Sequence, residues 1–134
     1  MATFKKFEDI DCWKKARGLT SRVYDISGKG VFARDFGLKD QIRRASVSVM
    51  SNIAEGHDRS GTGEFVQFLA NAKGSAAEIR AQLYVAIDQG YIGELEFNEL
   101  SQLAAEIGQM IGGLMKYLRG SKYKGTKYKP PAAS

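Results

Sequence analysis

The residues with the most chemical capacity lie close together in the stretch EGHDRSGTGE: Glu55, His57, Asp58 and Glu64. A histidine beside carboxylates can move protons or hold a cation. His57 is the only histidine and Cys12 the only cysteine. Any Cys–His or Ser–His arrangement would therefore rest on one imidazole, a zinc cage of several histidines or cysteines cannot form, and neither can an intrachain disulfide. The pattern GxxxxGK[ST] is absent, and GTGEF follows no predicted strand, so nothing supports a nucleotide cradle. The inventory argues against an enzyme and against a metal or organic cofactor. The acids and histidine of EGHDRSGTGE are expected on an exposed polar loop, and Cys12 as a helix residue without special chemistry.

A second pattern occupies QIRRASVSVMSNIAEGHDRS, residues 41–60. Arg44, Ser48 and Asn52 follow at four-residue steps and Glu55 lies three further on, which stacks them on one helix face. Wheel arithmetic sets that face opposite two apolar lines, one of Leu38, Ile42, Ala45, Val49 and Ile53, the other of Val47, Met50 and Ala54. The stripe fits a solvated face with local side-chain pairs, a hydrogen-bonded subunit contact, or a contact to phosphate through Arg44. The second apolar line exceeds what a bundle core needs, and fits either a wide core stripe or packing against another subunit.

These residues must be positioned by helices. Ile10, Trp13, Ala16, Thr20, Val23 and Ser27 recur at three- and four-residue steps, with Leu19, Tyr24 and Ile26 alongside, which predicts a helix over about 8–27. A second is predicted over about 36–55, with Gly56 as its C-terminal cap. The third covers about 63–89 with Phe65, Phe68, Leu69, Ala72, Ala76, Ile79, Leu83 and Ile87 inward. The fourth covers about 94–118 with Phe97, Leu100, Ala104, Ile107, Ile111, Leu114 and Leu118 inward. The only prolines are Pro130 and Pro131, so proline bars none of this. Four amphipathic segments with short connections predict an all-α fold, an up-down-up-down antiparallel four-helix bundle over residues 1–119.

The remainder, 120–134, is a basic tail expected to stay mobile in the isolated protein. Up to Glu106 the chain carries 14 lysines and arginines against 15 acids, and beyond it six bases and no acid. This excess favours a polyanion. Lys116, Arg119, Lys122, Lys124, Lys127 and Lys129 have Tyr117, Tyr123 and Tyr128 among them, an interleaving suited to phosphate contact and base stacking on single strands. No apolar run approaches the ~20 residues of a membrane helix, and the N-terminus lacks the features of a secretory signal, so a cytoplasmic protein with no membrane partner is expected.

The segments FEDIDCWKKARGLTSRVY and FGLKDQIRRASVSVMSNIAEGHDRSGTGEFVQFLANAKGSAAEIRAQLYVAIDQGYI closely resemble the four-helix bundle family of proteins encoded in intervening sequences of bacterial 23S ribosomal RNA genes. The blocks QIRRA, SNIAEG and FLANAKGSAAE carry the resemblance, which spans about residues 4–118. It implies a small helical protomer that assembles into a ring-like homopentamer with a basic surface and no known enzymatic activity. The family is also similar to the accessory variability proteins of diversity-generating retroelements, bundle pentamers that bind nucleic acid and partner a reverse transcriptase.

Matched by position, the family pattern marks Gln41, Arg43, Arg44, Ser48, Asn52, Ile53, Ala54, Glu55, Gly56 and Arg59, and on the third helix Gly74, Ser75 and Glu78. Met50 stands where many relatives have proline, which implies a straighter second helix. Val47, Met50, Asn52, Glu55, Gly56, Gly74 and Ser75 are expected to serve structure or oligomer contacts, with Gly74 and Ser75 allowing close approach of another helix. Arg43, Arg44 and Arg59 are the members most able to face phosphate. The resulting expectation is a non-enzymatic oligomer that binds RNA or DNA by charge and shape. The alternative is an adaptor for a reverse transcriptase, which a neighbouring reverse-transcriptase gene would favour.

Overall fold

A computed structural model of the chain describes residues 4–59 and 61–120. These form four α-helices: α1 Asp11–Ser27, α2 Phe36–Asp58, α3 Thr62–Asp88 and α4 Glu94–Gly120. A turn of 3-10 helix, Phe7–Asp9, precedes α1, and another, Phe32–Arg34, leads into α2. Among the described residues there is no strand. Short connections make successive helices antiparallel neighbours. The most extensive packing joins α2 to α3 and α3 to α4, while the shorter α1 closes the bundle against α2 and α4.

Each helix sends one apolar stripe inward. Cys12, Ala16, Leu19, Val23 and Ile26 come from α1, Ile42, Ala45, Val49 and Ile53 from α2, Leu69, Ala72, Ala76, Ile79 and Leu83 from α3, and Leu100, Ala104, Ile107, Ile111 and Leu118 from α4. Burying each Leu or Ile side chain contributes ~1.5–3 kcal/mol, so the stripes fix the register of all four helices.

α3 and α4 occupy the expected spans to within two residues at each end. The start of α1 differs. Residues 7–9 form a separate 3-10 turn, and Ile10 is extended at φ −78° and ψ 123°, so the α-helix begins at Asp11. Within α1 the buried residues are Cys12, Ala16, Leu19, Val23, Ile26 and Ser27, and Trp13 and Thr20 lie on the flank.

The expectation that Gly56 caps α2 is corrected: the helix runs on to Asp58 and Gly56 lies buried within it. A Cβ there would lie 2.7 Å from Phe68 Cβ and 3.0 Å from Phe65 Cδ1. The glycine is needed for the approach of α3, and ends nothing. His57 also lies in α2, 6% exposed, with Nε2 2.9 Å from the Phe4 carbonyl oxygen. The exposed loop expected for His57 is therefore replaced by a buried contact that anchors the segment before α1.

At the opposite end, Asp35 caps α2 by accepting from the Leu38 N–H at 3.1 Å, and accepts the Tyr91 hydroxyl at 2.8 Å. Tyr91 also stacks on Phe32 with centroids 5.1 Å apart. The α1–α2 and α3–α4 connections are thereby joined.

Candidate nucleic-acid interface

The polar residues of α2 do not share a face opposite the core, as wheel arithmetic predicts. Ser48 and Asn52 are half-buried and line the seam with α3. Ser48 Oγ lies 2.9 Å from Ser75 Oγ, and the Asn52 amide donates to the Ser48 carbonyl at 2.8 Å and to Ser48 Oγ at 3.0 Å. The seam opens outward into a polar hollow of about 220 Å³ whose rim includes Gln41, Arg44 and Glu78. Ser75 is thus part of an intramolecular helix contact. Gly74 beside it is exposed, and a Cβ there would meet nothing within 4 Å, so the close approach expected at Gly74 is not used within the protomer.

The three arginines of the pattern each have a partner. Arg43 Nε donates to Ser27 Oγ at 2.8 Å, its Nη2 donates to the Tyr24 carbonyl at 3.1 Å, and its guanidinium lies 4.3 Å from the Tyr24 ring centroid. It passes over Gly28, where a Cβ would come within 3.3 Å of Nη2. A cation is therefore fixed against the last carbonyls of α1, where the helix dipole favours it. Arg44 pairs with Asp40 at 2.8 Å and Arg59 with Glu55 at 2.9 Å, both i,i+4 pairs on the surface. Exposed pairs of this type contribute only ~0.3–0.5 kcal/mol, so either arginine exchanges its carboxylate for another anion at little cost. Arg59 also lies 5.0 Å from the Phe68 ring centroid.

The surplus apolar line of α2 is divided. Met50 packs against the protomer's own core, Ala54 is half-buried, and Val47 is 40% exposed. Lys116 and Arg119 are exposed in the last turns of α4, with no acidic partner among the described residues. Lys122, Tyr123, Lys124, Lys127, Tyr128 and Lys129 lie outside the described residues.

Sequence reasoning missed a groove of about 390 Å³ between α3 and α4. Lys73 and Arg80 stand on its α3 side, Gln109 on its α4 side, and alanine and glycine, including Ala105, Gly108 and Gly112, line the rest. No acid lines it. The available signal was a pair of bases seven residues apart facing small residues at 105, 108 and 112, which becomes a groove only once the register of α3 on α4 is known.

Among the described residues no three His, Cys, Asp or Glu side chains gather where they could hold a metal ion. Burial pushes the Cys12 thiol up to about 12, which keeps it protonated and unreactive. No described helix is long and apolar enough to cross a membrane.

Residues 8–113 match the model of one protein family, described as 23S rRNA-intervening sequence protein. No curated protein matches the chain. Among solved structures, a protein of unknown function from the S23 ribosomal protein family of Bacteroides thetaiotaomicron superposes with a TM-score of 0.72 at 21% identity, covering 78% of this chain and 98% of that one. That likeness shows a shared fold.

Proposed function

The chain belongs to the family of 23S rRNA-intervening sequence proteins, and from that premise we propose that it is a non-enzymatic, homo-oligomeric nucleic-acid-binding protein, a ring of five subunits that holds RNA or DNA by charge and shape. The observation that carries this reading is the segregation of charge, with six bases and no acid beyond Glu106. Lys116 and Arg119 open this basic segment, exposed at the end of α4. Their ammonium and guanidinium groups are free to neutralise phosphates and release counterions. Arg44 and Arg59, each in an exposed surface pair and Arg59 also over the Phe68 ring, are additional phosphate contacts, whereas Arg43 is committed to capping α1.

The proposed ring would strengthen such binding. Five basic segments carried by one particle would each contribute a weak contact, and linkage would raise the total avidity well above that of one arm. Exposed Val47 and Phe36 on α2, the latter 73% exposed, give that helix apolar surface for a subunit contact. Deleting residues 121–134 tests the role of the basic end. The truncated protein should bind RNA more weakly with a flatter salt dependence, and unchanged affinity and slope would remove the tail from the reading.

A further inference from the structure

Resting on the nucleic-acid reading, we propose that the α3–α4 groove is the track that seats the phosphodiester backbone of a single nucleic-acid strand, with Lys73 and Arg80 as its phosphate contacts. The two side chains lie two helical turns apart on α3, roughly 10 Å along the axis, and both face the groove. Neither has an acidic partner among the described residues. They differ in this from Arg44 and Arg59, whose charges are already met.

The wall opposite the cations explains why a strand can come close. Gly112 carries no side chain where the Lys73 stem crosses α4, and a Cβ built there would lie 3.6 Å from Lys73 Nζ and 3.7 Å from its Cε. At Gly108 a Cβ would meet nothing within 4 Å. At Gly108 a backbone can thus lie against α4 without displacing a side chain, near Gly112 it meets the Lys73 ammonium, and the Gln109 amide can donate to it.

The groove also continues the basic end of the molecule. Lys116 and Arg119 follow Gly112 at four and seven residues along α4, which places them on the same face. A strand leaving the groove past Gly112 therefore meets Lys116 and then Arg119. The charge pattern fits a polyanion. The groove of about 390 Å³ between the two packed helices offers space for one phosphodiester backbone. No aromatic residue lines the groove, so bases are not stacked there and sequence is not read.

The test uses the full chain and a labelled 20-nucleotide single strand of one sequence, as RNA and as DNA, with anisotropy measured over a salt series. Lys73→Gln with Arg80→Gln should weaken binding roughly tenfold or more near 0.1 M salt and lower the log–log salt slope by about 1.4 per strand, about 0.7 for each lost contact. Arg17→Gln with Arg34→Gln removes the same net charge from exposed positions outside the groove and should leave the slope unchanged. Equal loss in RNA and DNA would confirm that the backbone is the ligand. Loss confined to RNA would show 2′-hydroxyl recognition and overturn a purely backbone track.

Gly108→Leu adds bulk to the groove from a position where a Cβ meets nothing within 4 Å. It should weaken binding while the helical circular dichroism and the particle mass stay constant. If Gly108→Leu changes the mass, the groove is a subunit interface and the proposal fails. Binding by the wild type with no response to the Lys73 and Arg80 pair, or with an equal response to the control pair, overturns the track and leaves the nucleic-acid reading standing. A wild type that binds neither strand overturns both.

Discussion

Adjacent arginines in QIRRA carry different loads. Arg43 supplies two hydrogen bonds and a ring contact to the end of α1, at Ser27 Oγ, the Tyr24 carbonyl and the Tyr24 ring. A hydrogen bond to a charged group contributes ~1.5–3 kcal/mol, and of the two here the one to Ser27 is part-buried while the one to the Tyr24 carbonyl is exposed and adds less. Arg43→Ala should destabilise the fold by about 1–3 kcal/mol in urea unfolding, and Arg43→Lys should recover little, since an ammonium cannot reproduce the planar fork. Arg44→Ala should stay within ~0.5 kcal/mol. Equal effects from the two would contradict the capping role.

Asp35 makes a second residue-scale statement. The Leu38 N–H first, and the Tyr91 hydroxyl second, hold its carboxyl below the usual range, while the same carboxylate raises the Tyr91 phenol. A lowered acid pKa contributes stability above the unfolded value of ~3.9 and loses it as pH falls through the folded value; a raised phenol contributes below ~10 and loses it as pH rises through its folded value. The stability difference between wild type and Tyr91→Phe should therefore be largest near neutrality and shrink at both extremes. A difference that is flat with pH would show that the hydroxyl bond adds nothing.

At the scale of the element, glycines decide where helices touch. Gly56→Ala places a methyl 2.7 Å from Phe68 Cβ. The strain of parting α2 from α3 should cost ~1–3 kcal/mol and outweigh the ~1 kcal/mol that alanine gains over glycine in a helix. Gly113→Ala, with nothing within 4 Å of its Cβ, should show the opposite sign. Denaturant midpoints of the two variants check this directly, and stabilisation by both would mean that α3 does not press on Gly56. The same contrast explains what the sequence made legible. Apolar period fixed the four helices and most of the core, because burial repeats every turn. Gly56 resembled a stop signal because the reason for it sits on another helix, at Phe65 and Phe68. Ser48 and Asn52 resembled a free face because a wheel drawn for α2 alone cannot show which flank α3 covers. Lys73 and Arg80 passed unnoticed for the same reason, since their groove is half made of α4.

For the whole molecule, the order of charge along the chain becomes an order in space. The acids end at Glu106, and in the last turns of α4 Lys116 and Arg119 stand exposed beside the mouth of an acid-free groove. On this account five protomers present five such ends, and affinity should fall steeply with salt. The most direct measurement is anisotropy of nuclease-treated protein with labelled structured RNA and with duplex DNA of matched length, over a salt series, with particle mass determined in the same buffer. The account predicts an oligomer that binds with a steep negative salt slope. A well-formed oligomer that binds neither nucleic acid at low salt would contradict it, and would turn the search to a protein partner.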